Sequence, residues 1–337
     1  MTTQLRVLIL GGTVYLSKEV ARQAAARGHH VTVAARGKSG GPPDGVEFIG
    51  IDRSSAEGVE PLRGKEFDAV IDVARIPAQV GPVLDALADG AAHWTFVSSI
   101  SVYADHSKVD EALLEPAPDD SDDPDVALYG ASKVTCENLV RERLGDKAFV
   151  VRPGLVFGPH DPNDRFGYWP LRVADGGEIL APGRPERLVQ WIDVRNLAAW
   201  ILDGAERRLS GTFDAITDAV GMGDFLDGVT ESLQELGVEA PARFTWVPQE
   251  FLLEHGVNPW AGVESLGLWV PEPDYDGMLN RPAGPAVDAG LRLSTLAETV
   301  QAWWAAKSAE PELEASLSPE KEAEVLAAWH LHESERA

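Results

Sequence analysis

Cations and cysteine are both scarce in this chain. Its 337 residues hold 29 Lys+Arg against 54 Asp+Glu, a formal charge of −25. Nucleic acids and anionic membranes are gripped by clustered Lys and Arg, so this balance argues against either partner. The one cysteine, Cys136, excludes an internal disulfide framework and a thiolate metal cluster, and fits a reducing cytoplasm. No stretch approaches 18 uninterrupted apolar residues, so no membrane-spanning helix is expected. Met1–Gln4 leave no room for a signal peptide ahead of the first apolar run. No His/Asp/Glu cluster has metal-ligand spacing, and no metal is expected. The absences point to a soluble cytoplasmic protein whose partner is a small molecule.

What is present is a rhythm. Leu5–Leu10, Val31–Ala34, Val46–Ile51, Ala69–Ala74, Trp94–Val97 and Ala148–Val151 are short apolar runs. Between them lie helix-length segments at Leu16–Arg27, Ser55–Leu62, Ala78–Ala88 and Tyr129–Leu144. Apolar runs of this length alternating with helices predict a parallel sheet covered on both faces, a doubly wound α/β nucleotide-binding fold. After Pro153 the texture changes: Pro159, Pro162, Pro170, Pro182 and Pro185 break the chain into short pieces. Further helices are expected near Val194–Arg207 and Met222–Leu236, and strands near Gly211–Ile216 and Phe244–Val247. The expected organisation is a dinucleotide-binding domain over 1–155, to which 188–217 return. A smaller C-terminal substrate-binding lobe takes 156–187 and 218–310, and an acidic helical tail takes 311–337. The tail helix is predicted from Ser318-Pro319, an N-cap followed by proline at the first helical position, with Leu326 and Trp329 on its buried side.

The first run ends in Gly11-Gly12-Thr13-Val14-Tyr15-Leu16-Ser17. Glycines here let the chain turn tightly and bring a diphosphate to the N-terminus of the next helix. Set against the spacing GxxGxxG, Gly11 is kept, while Val14 and Ser17 replace the other two glycines. Val14 would stand where the diphosphate comes closest. The second run ends at Arg36-Gly37-Lys38-Ser39. An arginine at that strand end suits a 2′-phosphate, where an acid would suit a free ribose hydroxyl, so NADP(H) is preferred over NAD(H).

The richest constellation is Ser98-Ser99-Ile100-Ser101-Val102-Tyr103 at a strand end, followed by Tyr129-Gly130-Ala131-Ser132-Lys133 opening a helix. Tyr129 and Lys133 are four apart, on one helical face with roughly 6 Å of rise between them. An ammonium beside a phenol favours the phenolate, which can then exchange a proton with a hydroxyl or carbonyl. A serine hydroxyl from the neighbouring strand end can hold that oxygen.

Those motifs, with Arg152-Pro153-Gly154-Leu155-Val156-Phe157-Gly158-Pro159 and Trp191-Ile192-Asp193-Val194-Arg195-Asn196, resemble the motif series of the extended short-chain dehydrogenase/reductases. That group includes NAD-dependent epimerases and dehydratases, and NADP-dependent reductases. The resemblance runs from about residue 5 to 305, closing on Gly290-Leu291-Arg292-Leu293 and the Thr295–Trp304 helix. It implies Ser99 as the orienting serine, Tyr129 as general acid/base, and Lys133 as the ribose-binding residue that assists the tyrosine. It further implies a cofactor seat of Gly11, Gly12, Thr13, Tyr15, Leu16, Arg36 and Lys38. Asp52-Arg53 would lie beside the adenine, Ala74 near the nicotinamide-side ribose and Pro153 beside the carboxamide. A homodimer through the Tyr129 helix is implied by resemblance alone.

Two departures bear on substrate. Arg75 follows Val73-Ala74 where small residues are usual, and would project toward the substrate. Leu155 stands where sugar-nucleotide enzymes of the group carry asparagine, which favours a reductase-like activity. Arg75, Ser101, Arg165 and Trp169 are the candidate substrate contacts, with Arg172 a second fork for a carboxylate or phosphate. The reading is an NADP(H)-dependent oxidoreductase moving hydride to or from a small carbonyl or alcohol. Its alternatives are an NAD-dependent sugar-nucleotide epimerase/dehydratase and a non-catalytic dinucleotide-binding or sensor protein with a degenerate glycine turn.

Overall fold

The computed structural model describes residues 4–122, 126–162, 164–239, 241–307, 313 and 315–336. Asn163, part of the segment carrying Arg165, and Asp123 and Asp125 of the acidic stretch before Tyr129 lie outside the described residues. So do Glu310, Glu312 and Glu314 of the tail.

Seven strands form one parallel sheet: β1 (Arg6–Leu10), β2 (His30–Ala35), β3 (Glu47–Gly50), β4 (Ala69–Asp72), β5 (Trp94–Val97), β6 (Ala148–Pro153) and β7 (Gly211–Ala215). Their spatial order is β3-β2-β1-β4-β5-β6-β7. Val7 lies between Val31 and Ala69, so the chain winds outward in opposite directions from the β1/β4 pair. Alternation along β1 sends Val7 and Ile9 to one core, with Val20, Ala24, Leu197 and Ile201. Leu8 and Leu10 go to the other, with Val83, Leu87, Cys136 and Val140. Both faces are therefore sealed, by α1 (Tyr15–Ala26) on one side and by α2 (Gly81–Leu87) and α3 (Tyr129–Leu144) on the other. The winding reverses between β1 and β4, the switch point at whose carboxyl edge such sheets take ligands in a crevice.

The segment Glu57–Leu62 departs from the expected helix and forms a 3₁₀ turn. Pro61 interrupts it, and Gly58 sits so close to Asp52 that a Cβ there would lie 2.1 Å from the Asp52 carbonyl oxygen.

Above the carboxyl edge lies a lobe with its own core, rich in aromatic rings: Phe157, Phe166, Trp169, Trp191, Phe225, Trp269 and Trp303. Gly177–Pro182 and Ala242–Val247 pair in parallel inside it, Ile179 opposite Phe244. The terminal helix Pro319–Arg336 belongs to this core through Val325 and Leu326. Glu322, only 4% exposed, fixes it there by accepting from Arg172 Nε at 2.6 Å and from the Leu180 amide at 2.9 Å. Among the described residues no helix is long and apolar enough to cross a membrane.

Candidate active site

The turn after β1 is built by glycine conformations. Gly11 has φ +117° and Gly12 φ +77°, and a Cβ on Gly12 would stand 2.4 Å from Val33 Cγ2. Val14 is extended, at φ −136° and ψ 137°, a conformation open to any residue, and its side chain is 40% exposed. The turn therefore forms without a glycine at this position. Ser17 donates its hydroxyl to the Val14 carbonyl at 2.9 Å, tying the turn to the first turn of α1. No side chain caps α1 and no acid stands in its first turn, which leaves its leading amides without a side-chain acceptor among the described residues. Thr13 is buried at 9% exposure and Leu16 is half-buried. Tyr15 turns away from the amides, its hydroxyl donating to the Val156 carbonyl at 3.1 Å. Burial, with the carboxylates of Asp161, Asp193 and Asp164 nearby, pushes that phenol well above its ordinary range.

Arg36 and Lys38 are exposed at the end of β2, and neither forms an ion pair with the described residues. Asp52 sits close to both and accepts from the Ser54 amide at 3.0 Å and hydroxyl at 2.7 Å, bonds that hold its carboxyl below the usual range. The Arg53 side chain turns into the fold. Its Nη1 donates to Asp72 Oδ1 at 2.8 Å, and Asp72, the last residue of β4, is fully buried. The same Oδ1 accepts from the Ala74 amide at 3.0 Å. The glycine turn and the uncapped amides suit the diphosphate of a dinucleotide.

Lys133 is 3% exposed. Its ammonium donates to the Ala74 carbonyl at 2.6 Å and the Val97 carbonyl at 2.7 Å, and stands 5.0 Å from the centre of the Phe96 ring and 5.9 Å from that of Tyr129. An ammonium has three protons, so one remains for the crevice. Ser99 caps the 3₁₀ turn Ile100–Val102: its Oγ accepts from the Ser101 amide at 3.1 Å and donates to Ser101 Oγ at 3.1 Å. Gly130 lets α3 close on this turn, since a Cβ there would be 2.2 Å from the Ser101 carbonyl oxygen. Strand end and helix start are thus pressed together, with half-buried Tyr129 at the junction.

The other candidates are spread apart. Pro153 ends β6, buried and opposite Ala215. Arg75 is exposed beside Ala74 and has no ion pair among the described residues. Arg165 stacks its guanidinium 5.1 Å over Trp260. Trp169 is fully buried, donating its indole N–H to the Gly267 carbonyl at 2.9 Å, so it packs the lobe core. Arg172 is occupied by Glu322 and by the Gly176 carbonyl at 2.8 Å, which removes it as an anion fork. Among the described residues no group of three or more His, Cys, Asp or Glu could hold a metal.

Two buried features escaped the sequence reading. One is a chain of charges running from α3 to the lobe. Glu137 takes Arg152 Nε and Nη2 at 2.9 and 2.7 Å, Arg152 Nη1 donates to the Tyr103 hydroxyl at 3.0 Å, and Tyr103 donates to Asp214 at 2.7 Å. Arg281 completes it, pairing with Asp214 and lying 3.4 Å from the Tyr103 ring centre. The spacing Tyr129, Lys133, Glu137 carried a signal, three functional side chains on one helical face. The other is Asp164, 6% exposed, whose carboxyl is raised to about 7, first by burial and then by Asp161.

Residues 7–211 match the profile of the NAD dependent epimerase/dehydratase family. The 2'-dehydrokanamycin reductase of Streptomyces kanamyceticus is 31% identical over 158 residues, 45% of this chain and 43% of that protein. The chloroplast stem-loop binding protein of 41 kDa b of Arabidopsis thaliana is 26% identical over 218 residues, 60% of this chain and 55% of that protein. The chain spans about half the length of these curated relatives. Among solved structures, the Bordetella bronchiseptica enzyme WbmH, in complex with NAD+, superimposes with a TM-score of 0.62 at 16% identity, over 90% of this chain and 98% of that one. That similarity is one of fold. With a family profile aligned from β1 to the start of β7, across the glycine turn, Tyr129 and Lys133, the chain belongs to the NAD-dependent epimerase/dehydratase family.

Proposed function

We propose that this protein is an NADP(H)-dependent oxidoreductase acting on a small carbonyl or alcohol. The observation that carries the reading is Lys133: a buried ammonium held by two backbone carbonyls, at 2.6 and 2.7 Å, beside Tyr129 at the carboxyl edge of the sheet. A buried charge is costly to keep, and here two carbonyl dipoles and one aromatic face compensate it. Its third proton and its field are left for the phenol and a ribose.

Gly11, Gly12, Thr13, Leu16 and the α1 amides would seat the diphosphate, Arg36 and Lys38 the 2′-phosphate, and Ala74 and Lys133 the nicotinamide ribose. When bound, the nicotinamide supplies or accepts the hydride. Tyr129 gives the proton to the carbonyl oxygen, or takes it from the alcohol. Ser99 holds that oxygen: its own Oγ is fixed by the Ser101 amide, and its proton turns from Ser101 Oγ to the substrate.

The curated relative from Streptomyces kanamyceticus is a reductase by name, which supports the direction of the reading. The stem-loop binding relative points to nucleic acid, but a chain at −25 lacks the basic stripe such binding requires. The test is Tyr129→Phe, assayed with NADPH across a panel of ketones and aldehydes. Loss of turnover with an unchanged unfolding midpoint is expected; turnover retained by the variant would remove Tyr129 from the reaction.

A further inference from the structure

We infer that Arg53 is a positioning residue for Lys133, acting through a buried relay of Asp72 and the Ala74 peptide. The proposal rests on the reading of Tyr129 and Lys133 given above and deepens it.

Each link is a short contact between buried groups. Arg53 Nη1 donates to Asp72 Oδ1 at 2.8 Å, the Ala74 amide donates to the same oxygen at 3.0 Å, and the Ala74 carbonyl accepts from Lys133 Nζ at 2.6 Å. Asp72 is fully buried and the Arg53 side chain is 13% exposed. A buried carboxylate is stable only with a partner, and the Arg53 guanidinium is the partner that holds Asp72 in place. Asp72 in turn fixes the two-residue turn that leaves β4, and that turn aims the Ala74 carbonyl at the ammonium.

The chemistry explains why a carbonyl needs such backing. Lys133 reaches its place on a flexible four-carbon stem, and the two carbonyls define where the charge stops. The Val97 carbonyl belongs to β5 and is held by the sheet. Ala74 lies past the end of β4, where no strand pairing fixes it. The side chain of Asp72 supplies what the sheet does not. Asp72, Arg53 and Lys133 all act on Cys136 of α3, whose thiol burial pushes up to about 12, so this neighbour carries no charge that competes with the pair.

The relay predicts that loosening Arg53 displaces the ammonium from the phenol while the dinucleotide seat on β1 and β2 stays intact. Two readouts separate this from a merely structural role. The first is ultraviolet difference titration of the protein without cofactor, with Tyr129→Phe as the subtraction that isolates one phenol. In Arg53→Gln the Tyr129 phenolate should form at higher pH than in the wild type, and Arg53→Lys should restore most of the difference. The second is kinetic: kcat should fall roughly tenfold or more, the size expected when a reacting group is misplaced, and by a larger factor than KM for NADPH rises through the ribose contacts of Ala74 and Lys133. If Arg53→Gln fails to fold, the double variant Arg53→Met with Asp72→Leu removes both buried charges together, a change that folds tolerate. It should show the same displacement. A titration of either folded variant that coincides with the wild type overturns the relay. Turnover by Tyr129→Phe would instead remove the proton-transfer reading, and the titration would still decide the relay.

Discussion

Glu137 and Arg152 face each other as a two-pronged ion pair sealed beneath α3, Nε to Oε1 at 2.9 Å and Nη2 to Oε2 at 2.7 Å. Glu137 is fully buried, and the Arg152 side chain is 9% exposed. Because Glu137 follows Lys133 by one helical turn, the pair sets how α3 sits on β6 and so where Tyr129 and Lys133 meet the crevice.

Removing one partner leaves the other charge buried alone, which costs about 3–5 kcal/mol. Glu137→Gln should therefore lower the free energy of unfolding by that amount, measured by urea denaturation at pH 7. Burial alone would raise the Glu137 carboxyl, but the bonds and charge of Arg152 outweigh it and hold the group below its usual 4.5. A depressed folded value means stability present above pH 4.5 and lost as pH falls through the folded value. The difference between wild type and Glu137→Gln should shrink accordingly as the medium is acidified.

In the turn after β1, Gly12 and Val14 place opposite demands on the backbone. Gly12→Ala places a methyl 2.4 Å from Val33 Cγ2 on a backbone at φ +77°, two faults that together cost about 2–4 kcal/mol. Val14→Gly changes a residue already extended at φ −136°, and should cost about 1 kcal/mol or less through chain entropy alone. Urea unfolding of both variants checks the contrast; equal losses would mean that Val14 also holds the turn.

Most of the sheet was legible because β1, β2, β4, β5 and β6 are apolar on both faces, which a short continuous run of Val, Ile and Leu announces. The 3₁₀ turn at Glu57–Leu62 was not, since Gly58 owes its conformation to contact with Asp52 rather than to local propensity. At the candidate site, the four-residue spacing marked Tyr129 and Lys133 as sharing one helical face, and Ser99 came from the family resemblance. The pairings of Arg53 with Asp72 and of Arg172 with Glu322 were not legible, because a sequence shows a cation but not the buried acid that faces it. Trp169 stood as a candidate substrate contact, and the lobe core that encloses it is assembled from segments far apart in the chain. Helix α3 itself hides its polar partners: Ser132, Lys133, Thr135 and Glu137 are all buried alongside Val134 and Cys136.

Arg36 carries the proposed choice of cofactor. It is exposed, with no ion pair among the described residues, at the strand end where the adenosine ribose is expected. Arg36→Ala should weaken NADPH by about 10- to 100-fold, the worth of hydrogen bonds to a charged phosphate, and leave NADH nearly unchanged. Calorimetric titration with both dinucleotides reads this directly. An equal loss for both would assign Arg36 to the turn rather than to the 2′-phosphate.

Asp164 should make the protein less stable at neutral pH than in mild acid. Its carboxyl is raised from 3.8 to about 7, first by burial and then by Asp161, against opposing bonds from the Trp303 indole and the Gly167 amide. Below pH 3.8 folded and unfolded chains both hold the proton, and the group contributes no penalty. Between 3.8 and about 7 the unfolded chain releases its proton while the folded one keeps it, so this group's contribution falls as pH rises and levels off above the folded value. Asp164→Asn keeps an oxygen for Trp303 and Gly167 and cannot ionise. Its Tm should exceed that of the wild type at pH 8, by roughly 2–4 °C per kcal/mol recovered, and converge with it near pH 4. A constant offset at both pH values would mean that the variant acts through packing and that Asp164 is ionised in the folded protein.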